Sequence, residues 1–399
     1  MGPHRHARLF VTGATLSYVG TAIVPVALSF AVLDRGFGPD ALGLVLAAQS
    51  IPTILLLLLG GIVGDRGSRR AVMIAADFLR AAIQALLATG LVLGHVSILS
   101  FMAAAALIGV GNAFFQPASG GFITEIVSRE QLARTNGVLR TANALAMVVG
   151  PAIGALVVIG AGPEWGIALD AVTYAASAAC LVAIRLPSSS SGGRSERQSI
   201  SKDLSDAVRS IRDTRWLLLV VAQFAVLNML AIAPFKVIAP VIFSHAAGGA
   251  GMWGSLLTAI GVGAVAGSAA CIRWQPRKTL LGVEFASFLL VAPILALAAS
   301  APLPAILAGG VLFGTGAALL SVLTITAIQR EVRPALLSRT MAVVQLADMG
   351  LTPMGYVIAG PALGLLGEST TLLISAVSVM ACVGALCLQK DIRAFEHRG

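Results

Sequence analysis

The sequence predicts an all-α polytopic membrane protein in which twelve transmembrane helices form two six-helix bundles. Three observations carry this prediction. Apolar residues make up 57% of the 399 residues and charged residues only 11%, about half the charged share of a typical soluble domain. Twelve apolar runs are long enough to cross about 30 Å of hydrocarbon, a distance that takes about 20 helical residues. When the runs are threaded alternately from a cytoplasmic N-terminus, 24 of the 27 Lys and Arg residues fall on the cytoplasmic side, as positive charge does on inner loops. In lipid every backbone polar group must be satisfied within its own segment, so the spans are helices. The alternating pattern of a membrane barrel is absent.

The runs are 9–33, 39–63, 71–93, 97–121, 139–161, 164–184, 216–244, 251–272, 279–298, 303–327, 340–362 and 367–388. The first is followed by Asp34-Arg35 and not by a small-residue cleavage pattern, so it reads as a retained span. Arg35 alone among the cations faces outward, and Arg80 and Lys236 lie inside spans. The longest interruption, 185–215, contains "PSSSSGG", a flexible-linker composition. After it, Ile200, Leu204, Val208 and Ile211 recur at helical spacing, which suits a short amphipathic helix on the inner membrane surface. The chain thus divides into an N-terminal bundle (1–184), a cytoplasmic linker (185–215) and a C-terminal bundle (216–399), packed around a central cavity. A weak echo supports the division: an offset of 208 places Arg277-Lys278 on Arg69-Arg70.

Between spans two and three stands a dense charge knot, "GGIVGDRGSRR". The turn is tight, which suits Gly67 and Ser68. Gly60, Gly61 and Gly64 allow another helix to approach closely. Asp65 sits at a helix end beside Arg66, Arg69 and Arg70, where it can bond to them or to a neighbouring helix N-terminus. Such a knot can hold two bundles together in one state and release them in another.

The spacing Gly61-x-x-x-Asp65-Arg66-x-x-Arg69-Arg70 resembles the signature of the major facilitator superfamily, with Ser68 where glycine is usual. "NAFFQPA", "LARTNGVL", "VGPAIGALV", "IALDAVTYAASA" and "LLSRTMAVVQLADMGLTPMGYVIAGPA" are similar to the exporter branch that includes macrolide-efflux and enterobactin-exporter relatives. The resemblance covers nearly the whole chain. It implies alternating access, export of a small molecule and proton-driven antiport. Gly150-Pro151-Ala152-Ile153-Gly154 resembles the Gly-Pro element of superfamily antiporters, which implies export. Physically, Pro151 removes a helix hydrogen bond and Gly150 and Gly154 permit bending; a plain packing kink is the other reading.

Charges inside a bilayer are costly and therefore candidates for function. Asp77 and Arg80 lie one turn apart on span three and can face each other, as a proton or substrate gate or as a structural pair. Asp170 on span six either carries a proton or bonds to neighbouring backbone or hydroxyls. Lys236, between Pro234 and Pro240, suggests a broken helix lining a cavity; it pairs with an acid, meets an anionic substrate or snorkels outward. Asp348 on span eleven is a further coupling candidate. Glu284 reads as a wetter, structural residue. Asp77 and Asp348 are the first coupling candidates and Asp170 the third, since a coupling carboxylate must sense conformation through burial or a nearby cation. Gln49, Gln223, Asn228 and Gln345, with Phe30, Phe224, Phe235 and Met229, suit a bulky amphiphile.

The expected partners are a small-molecule substrate, protons and the bilayer, with the chain acting as a monomer in the inner (plasma) membrane, both termini cytoplasmic. A nutrient importer of the same fold and a membrane-embedded sensor or enzyme are the competing readings. Against an enzyme, there is no H-E-x-x-H or G-x-S-x-G element, and against a pump driven directly by ATP there is no G-x-x-x-x-G-K-[ST] sequence. The five histidines are expected in tails or outer loops, and the four cysteines are expected as buried small hydrophobes, with no C-x-x-C. No cofactor or metal is expected. The cations are scattered over short loops without interleaved aromatics, which argues against nucleic acid.

Overall fold

A computed structural model describes residues 3–184, 214–274, 276, 278–332 and 334–393, apart from the side chains of a few helical residues, Asp65 among them. The expected amphipathic helix at 200–211 lies outside the described residues. Twelve helices are long and apolar enough to cross a membrane, and no strand occurs among the described residues. They are α1 (Pro3–Leu33), α2 (Pro39–Arg66), α3 (Arg69–Val92), α4 (Ile98–Ile126), α5 (Arg129–Ala161) and α6 (Pro163–Ala183). The series continues with α7 (Arg215–Ser244), α8 (Gly249–Arg273), α9 (Thr279–Ala298), α10 (Leu303–Glu331), α11 (Pro334–Gly350 and Thr352–Leu366) and α12 (Glu368–Leu388). The chain forms two compact units: Met1–Ser195 with Pro240–Thr258, and Glu196–Ala239 with Ala259–Gly399.

Several helices outrun their hydropathy. The fifth span was expected from 139, yet α5 starts at Arg129, and only Val127 and Ser128 separate it from α4. Hydropathy marks where a helix leaves hydrocarbon; the hydrogen-bond ladder continues into water through "REQLARTNG", which holds good helix formers. For the same reason α1 begins at Pro3 and places His6 in a buried site, where a tail position was expected. Caps fix other ends: Ser97 and Ser100 form a reciprocal capping box at the start of α4.

Within each unit, small residues set the helix spacing, as expected where lipid is as apolar as the side chains. In the N-terminal unit α2 packs on α4. A methyl group at Gly60 would collide with the Ala113 carbonyl, and one at Gly109 with the Gln49 carbonyl. Ala113 lies four residues before Pro117, so its carbonyl has no helical N–H to accept from, and the Gly60 backbone closes over it. Thr53 Oγ1 donates to the Gly109 carbonyl at 3.1 Å. The C-terminal unit repeats the device between α8 and α10: Gly263 faces the Val311 carbonyl, Gly314 faces the Ile260 carbonyl, and Thr315 Oγ1 donates to the Gly263 carbonyl at 3.1 Å. The close approach expected of three glycines in the knot belongs to Gly60. A Cβ at Gly61 meets only Pro117, at 3.9 Å, and one at Gly64 meets Ala118 at 3.7 Å, both ordinary contacts. Large apolar side chains such as Leu55, Leu86, Leu156 and Leu365 are exposed, as a lipid-facing surface requires.

Candidate functional site: buried charges and a polar cavity

The buried face of α3 carries Met73, Asp77, Arg80, Gln84, Leu87 and Leu91, a four-three alternation that keeps one side of a helix facing its neighbours. α6 presents Ile167, Asp170, Thr173, Tyr174, Ser177 and Leu181 in the same way. Packed together, the two faces bring three charges into one buried cluster. Asp77 and Asp170 are 0% exposed and Arg80 is 4% exposed. Arg80 Nη2 donates to Asp77 Oδ1, and Nη1 donates to Asn112 Oδ1 of α4 at 3.0 Å. The guanidinium lies between two rings, with Cζ 4.3 Å from the centroids of both Phe115 and Tyr174. Gln84 Nε2 donates to Asp170 Oδ2 at 2.7 Å, Thr173 Oγ1 to the Asp170 carbonyl at 2.8 Å, and Tyr174 OH bonds with Thr21 Oγ1 at 3.2 Å.

The depth follows from helix rise. Arg80 lies 11 residues into α3, about 16 Å from its start; Asp170 lies 7 residues into α6, about 10 Å from its opposite end. Measured against about 30 Å of hydrocarbon, Arg80 falls near the middle and Asp170 about a third of the way in. Asp77 and Arg80 neutralise each other. Asp170 has an amide and a hydroxyl beside it, while Arg80 acts on its charge from further away. Among the described residues, Asp77 Oδ2 and Arg80 Nε have no hydrogen-bond partner. Room for the cluster comes from two glycines: a Cβ at Gly111 would meet Arg80 Cγ at 2.6 Å, and one at Gly20 would meet Asp170 Oδ1 at 2.6 Å.

The knot is an α2–turn–α3 junction. α2 ends at Arg66, which is exposed, and Ser68 Oγ accepts from Ala71 N at 3.3 Å to cap α3. Arg69 Nη1 bonds to Glu125 Oε1 at 3.1 Å and to the Gly121 carbonyl at 3.3 Å. Arg70 donates to the Leu181 and Val182 carbonyls at 2.8 and 2.7 Å, a cation closing the C-terminal end of α6. These bonds therefore fasten the start of α3 to the ends of α4 and α6 in its own unit. The Asp65 side chain lies outside the description. The helix-bend element also works at close range: a methyl at Gly150 would strike Ala22, and one at Gly154 would lie 3.0 Å from the Ile23 carbonyl. Pro151 is buried within α5, and a Cβ at Gly254 would meet its carbonyl at 2.7 Å.

In the C-terminal unit, α7 contains one π-helical turn, Asn228–Ile232, ahead of Pro234. The break expected near Pro234 and Pro240 is thus confined to one wide turn. Proline has no N–H for the Leu230 carbonyl, and Ser375 Oγ of α12 donates to that carbonyl instead. Next to the turn, Asn228 Nδ2 donates to Asp348 Oδ1 at 2.7 Å. Lys236 is exposed and acts electrostatically on Asp348. Glu284 departs from its wet expectation: it is fully buried, accepts from Gln223 Nε2 at 2.7 Å, and its Oε1 has no partner among the described residues. Gln223 and Phe235, expected in a cavity wall, are both buried; Phe235 stacks on Phe313 at 5.5 Å. Ser287 Oγ takes a second bond from Gln223 at 3.1 Å. The four cysteines are free and half-buried, and no cluster of three or more metal-ligating side chains occurs among the described residues.

A cavity of about 380 Å³ opens in the N-terminal unit between α1, α4 and α5. Phe10, Tyr18 and Phe115 form an aromatic wall, and Asn136, Arg140 and Asn143 project from α5. Sequence reasoning missed Gln84, Asn112, Phe115, Tyr174 and Glu125. The four-three alternation on α3 carried the signal for Gln84; the others are partners from distant segments that no local pattern marks.

Twelve helices of membrane-spanning length, with charges buried inside a unit, describe a polytopic membrane protein. The chain belongs to the Major Facilitator Superfamily, whose family model matches residues 10–351. It is similar to the uncharacterized MFS-type transporter YkuC of Bacillus subtilis, at 30% identity over 184 residues, 45% of this chain and 41% of that protein. It is also similar to the multidrug efflux pump Tap of Mycobacterium tuberculosis, at 24% identity over 396 residues, 96% and 93% of the two chains. Macrolide efflux protein A of Streptococcus pyogenes is 22% identical over 232 residues, 58% and 56% of the two chains. Among solved structures, the nucleoside transporter NupG superposes with a TM-score of 0.75 at 12% identity, covering 95% of this chain and 98% of that one. The D-xylose-proton symporter gives 0.74 at 13% identity, with 99% of each chain covered. These two likenesses are of fold alone.

Proposed function

We propose that the protein exports a small amphiphilic molecule from the cytoplasm by proton-coupled antiport. In this reading the chain sits as a monomer in the inner membrane with both termini cytoplasmic. Residues 1–184 and 216–399 form two halves that alternate access, joined by 185–215. The observation that carries the reading is the sealed cluster of Asp77, Arg80, Gln84 and Asp170. One guanidinium serves two carboxylates, so uptake of one proton changes the cluster from net negative to neutral. A change of that kind in a low-dielectric site is large enough to drive a conformational preference. Asp170 is assigned the proton because Asp77 already holds Arg80; Asp348, held by Asn228 and within reach of the Lys236 charge, is the corresponding candidate in the other half. The efflux relatives support export. Asp65, Arg66, Arg69 and Arg70 are assigned the gating role, and Gly150, Pro151 and Gly154 the helix bend.

The test is transport in everted membrane vesicles energised by a pH gradient. The intact protein should accumulate an amphiphilic dye as the gradient forms. Asp170→Asn should retain gradient-independent exchange and lose gradient-driven accumulation. Accumulation unchanged in Asp170→Asn, Asp77→Asn and Asp348→Asn alike would overturn the coupling assignment. Net movement only in the opposite direction would replace export with uptake.

A further inference from the structure

We infer that the α1/α4/α5 cavity selects amphiphiles with an anionic group, and that Arg140 is the residue that reads the charge. The inference rests on the export reading and adds a substrate class to it. Asn136, Arg140 and Asn143 recur at four- and three-residue spacing, so one face of α5 presents a cation flanked by two amides to the cavity. All three are exposed there, and among the described residues Arg140 has no ion-pair or hydrogen-bond partner. Every other cation at this end of the unit that bonds has a fixed role: Arg69 holds Glu125 and Arg70 holds the end of α6. No carboxylate lines the cavity among the described residues.

The chemistry of the walls is therefore one-sided. A guanidinium stays charged at any physiological pH and presents a planar fork that matches a carboxylate, sulfonate or phosphate. The amides and the Tyr18 hydroxyl offer neutral hydrogen bonds, and Phe10, Tyr18 and Phe115 offer an apolar surface for the rest of the molecule. A cationic amphiphile would find repulsion from Arg140 and no acid to offset it. The positive-inside bias accounts for which side of the membrane Arg140 is on. It does not account for an arginine facing an aromatic cavity between two amides. Phe115 adds a link to transport: the ring that lines the cavity is also the ring over which Arg80 lies, so a bound molecule adjoins the buried charge cluster.

An inner-leaflet lipid headgroup shares this anionic chemistry, so the test separates the two sources. The full chain is placed in phosphatidylcholine nanodiscs and titrated with dansylglycine and with its uncharged amide, read by dansyl fluorescence. These probes differ in the carboxylate alone. Equilibrium binding needs neither a pH gradient nor turnover, so its outcome is independent of the coupling assignment. Dansylglycine should bind more tightly than the amide. Arg140→Gln should weaken dansylglycine about tenfold or more, the scale of a lost charge-assisted hydrogen bond, and leave the amide unchanged. The unchanged amide doubles as the folding control, and Arg140→Lys should recover part of the preference. Equal affinities for the two probes, or an equal loss of both in Arg140→Gln, would overturn the proposal. So would loss of the Arg140-dependent preference in nanodiscs containing phosphatidylglycerol, because the cation would then be serving a lipid headgroup.

Discussion

Replacing Arg80 by glutamine should destabilise the protein far more than replacing Arg80 and Asp77 together. Among the described residues Arg80 is the one cation paired with Asp77, whose side chain is fully buried. Removing one partner of such a pair leaves an uncompensated buried charge, at a cost of about 3–5 kcal/mol. Two ring contacts at 4.3 Å add about 0.5–2 kcal/mol each when desolvated, and the bond to Asn112 adds about 1 kcal/mol. The double variant Asp77→Asn/Arg80→Gln keeps two amides in place of the ion pair and leaves no buried charge in the pair. It loses the ring and Asn112 contacts but escapes the largest cost. The expected coupling energy in the double-mutant cycle is therefore about 2–3 kcal/mol. The assay is thermal unfolding of the purified chain in detergent, followed by loss of the monodisperse peak. Additive single effects would show that Arg80 and Asp77 do not act as a pair, and the cluster argument would fail with them.

Two further outcomes follow from packing. Gly60→Ala should lower the unfolding temperature clearly, because its methyl group would collide with the Ala113 carbonyl; Gly61→Ala, with 3.9 Å to its nearest neighbour, should leave it within the scatter of surface substitutions, about 0.5 kcal/mol. Equal effects in the two variants would refute the assignment of the close approach to Gly60. Ser375→Ala should cost about 1–3 kcal/mol by leaving the Leu230 carbonyl unpaired, and Pro234→Ala in the same chain should recover part of it by supplying an N–H. No recovery in the double variant, measured by the same unfolding assay, would show that proline is not the reason Ser375 is needed.

The sequence alone determined that the chain spans a membrane twelve times, and the reason is the solvent. Lipid cannot hydrogen-bond a backbone, so long apolar runs must be helices, and their number is set by length. It also marked Asp77 and Arg80, because a one-turn separation on a helix places two side chains together whatever surrounds them. Tertiary structure decided everything that depends on partners from distant segments. It joined Gln84 of α3 to Asp170 of α6 and Gln223 of α7 to Glu284 of α9, residues far apart in the chain. It turned Glu284 from an expected wet position into a sealed one, and Phe235 from a cavity wall into core. It distinguished Gly60 from Gly61, neighbours with the same chemistry, because a helix shows each residue to a different side. Hydropathy records the cost of water at each residue; it carries no information about which residue of another helix will stand in for that water.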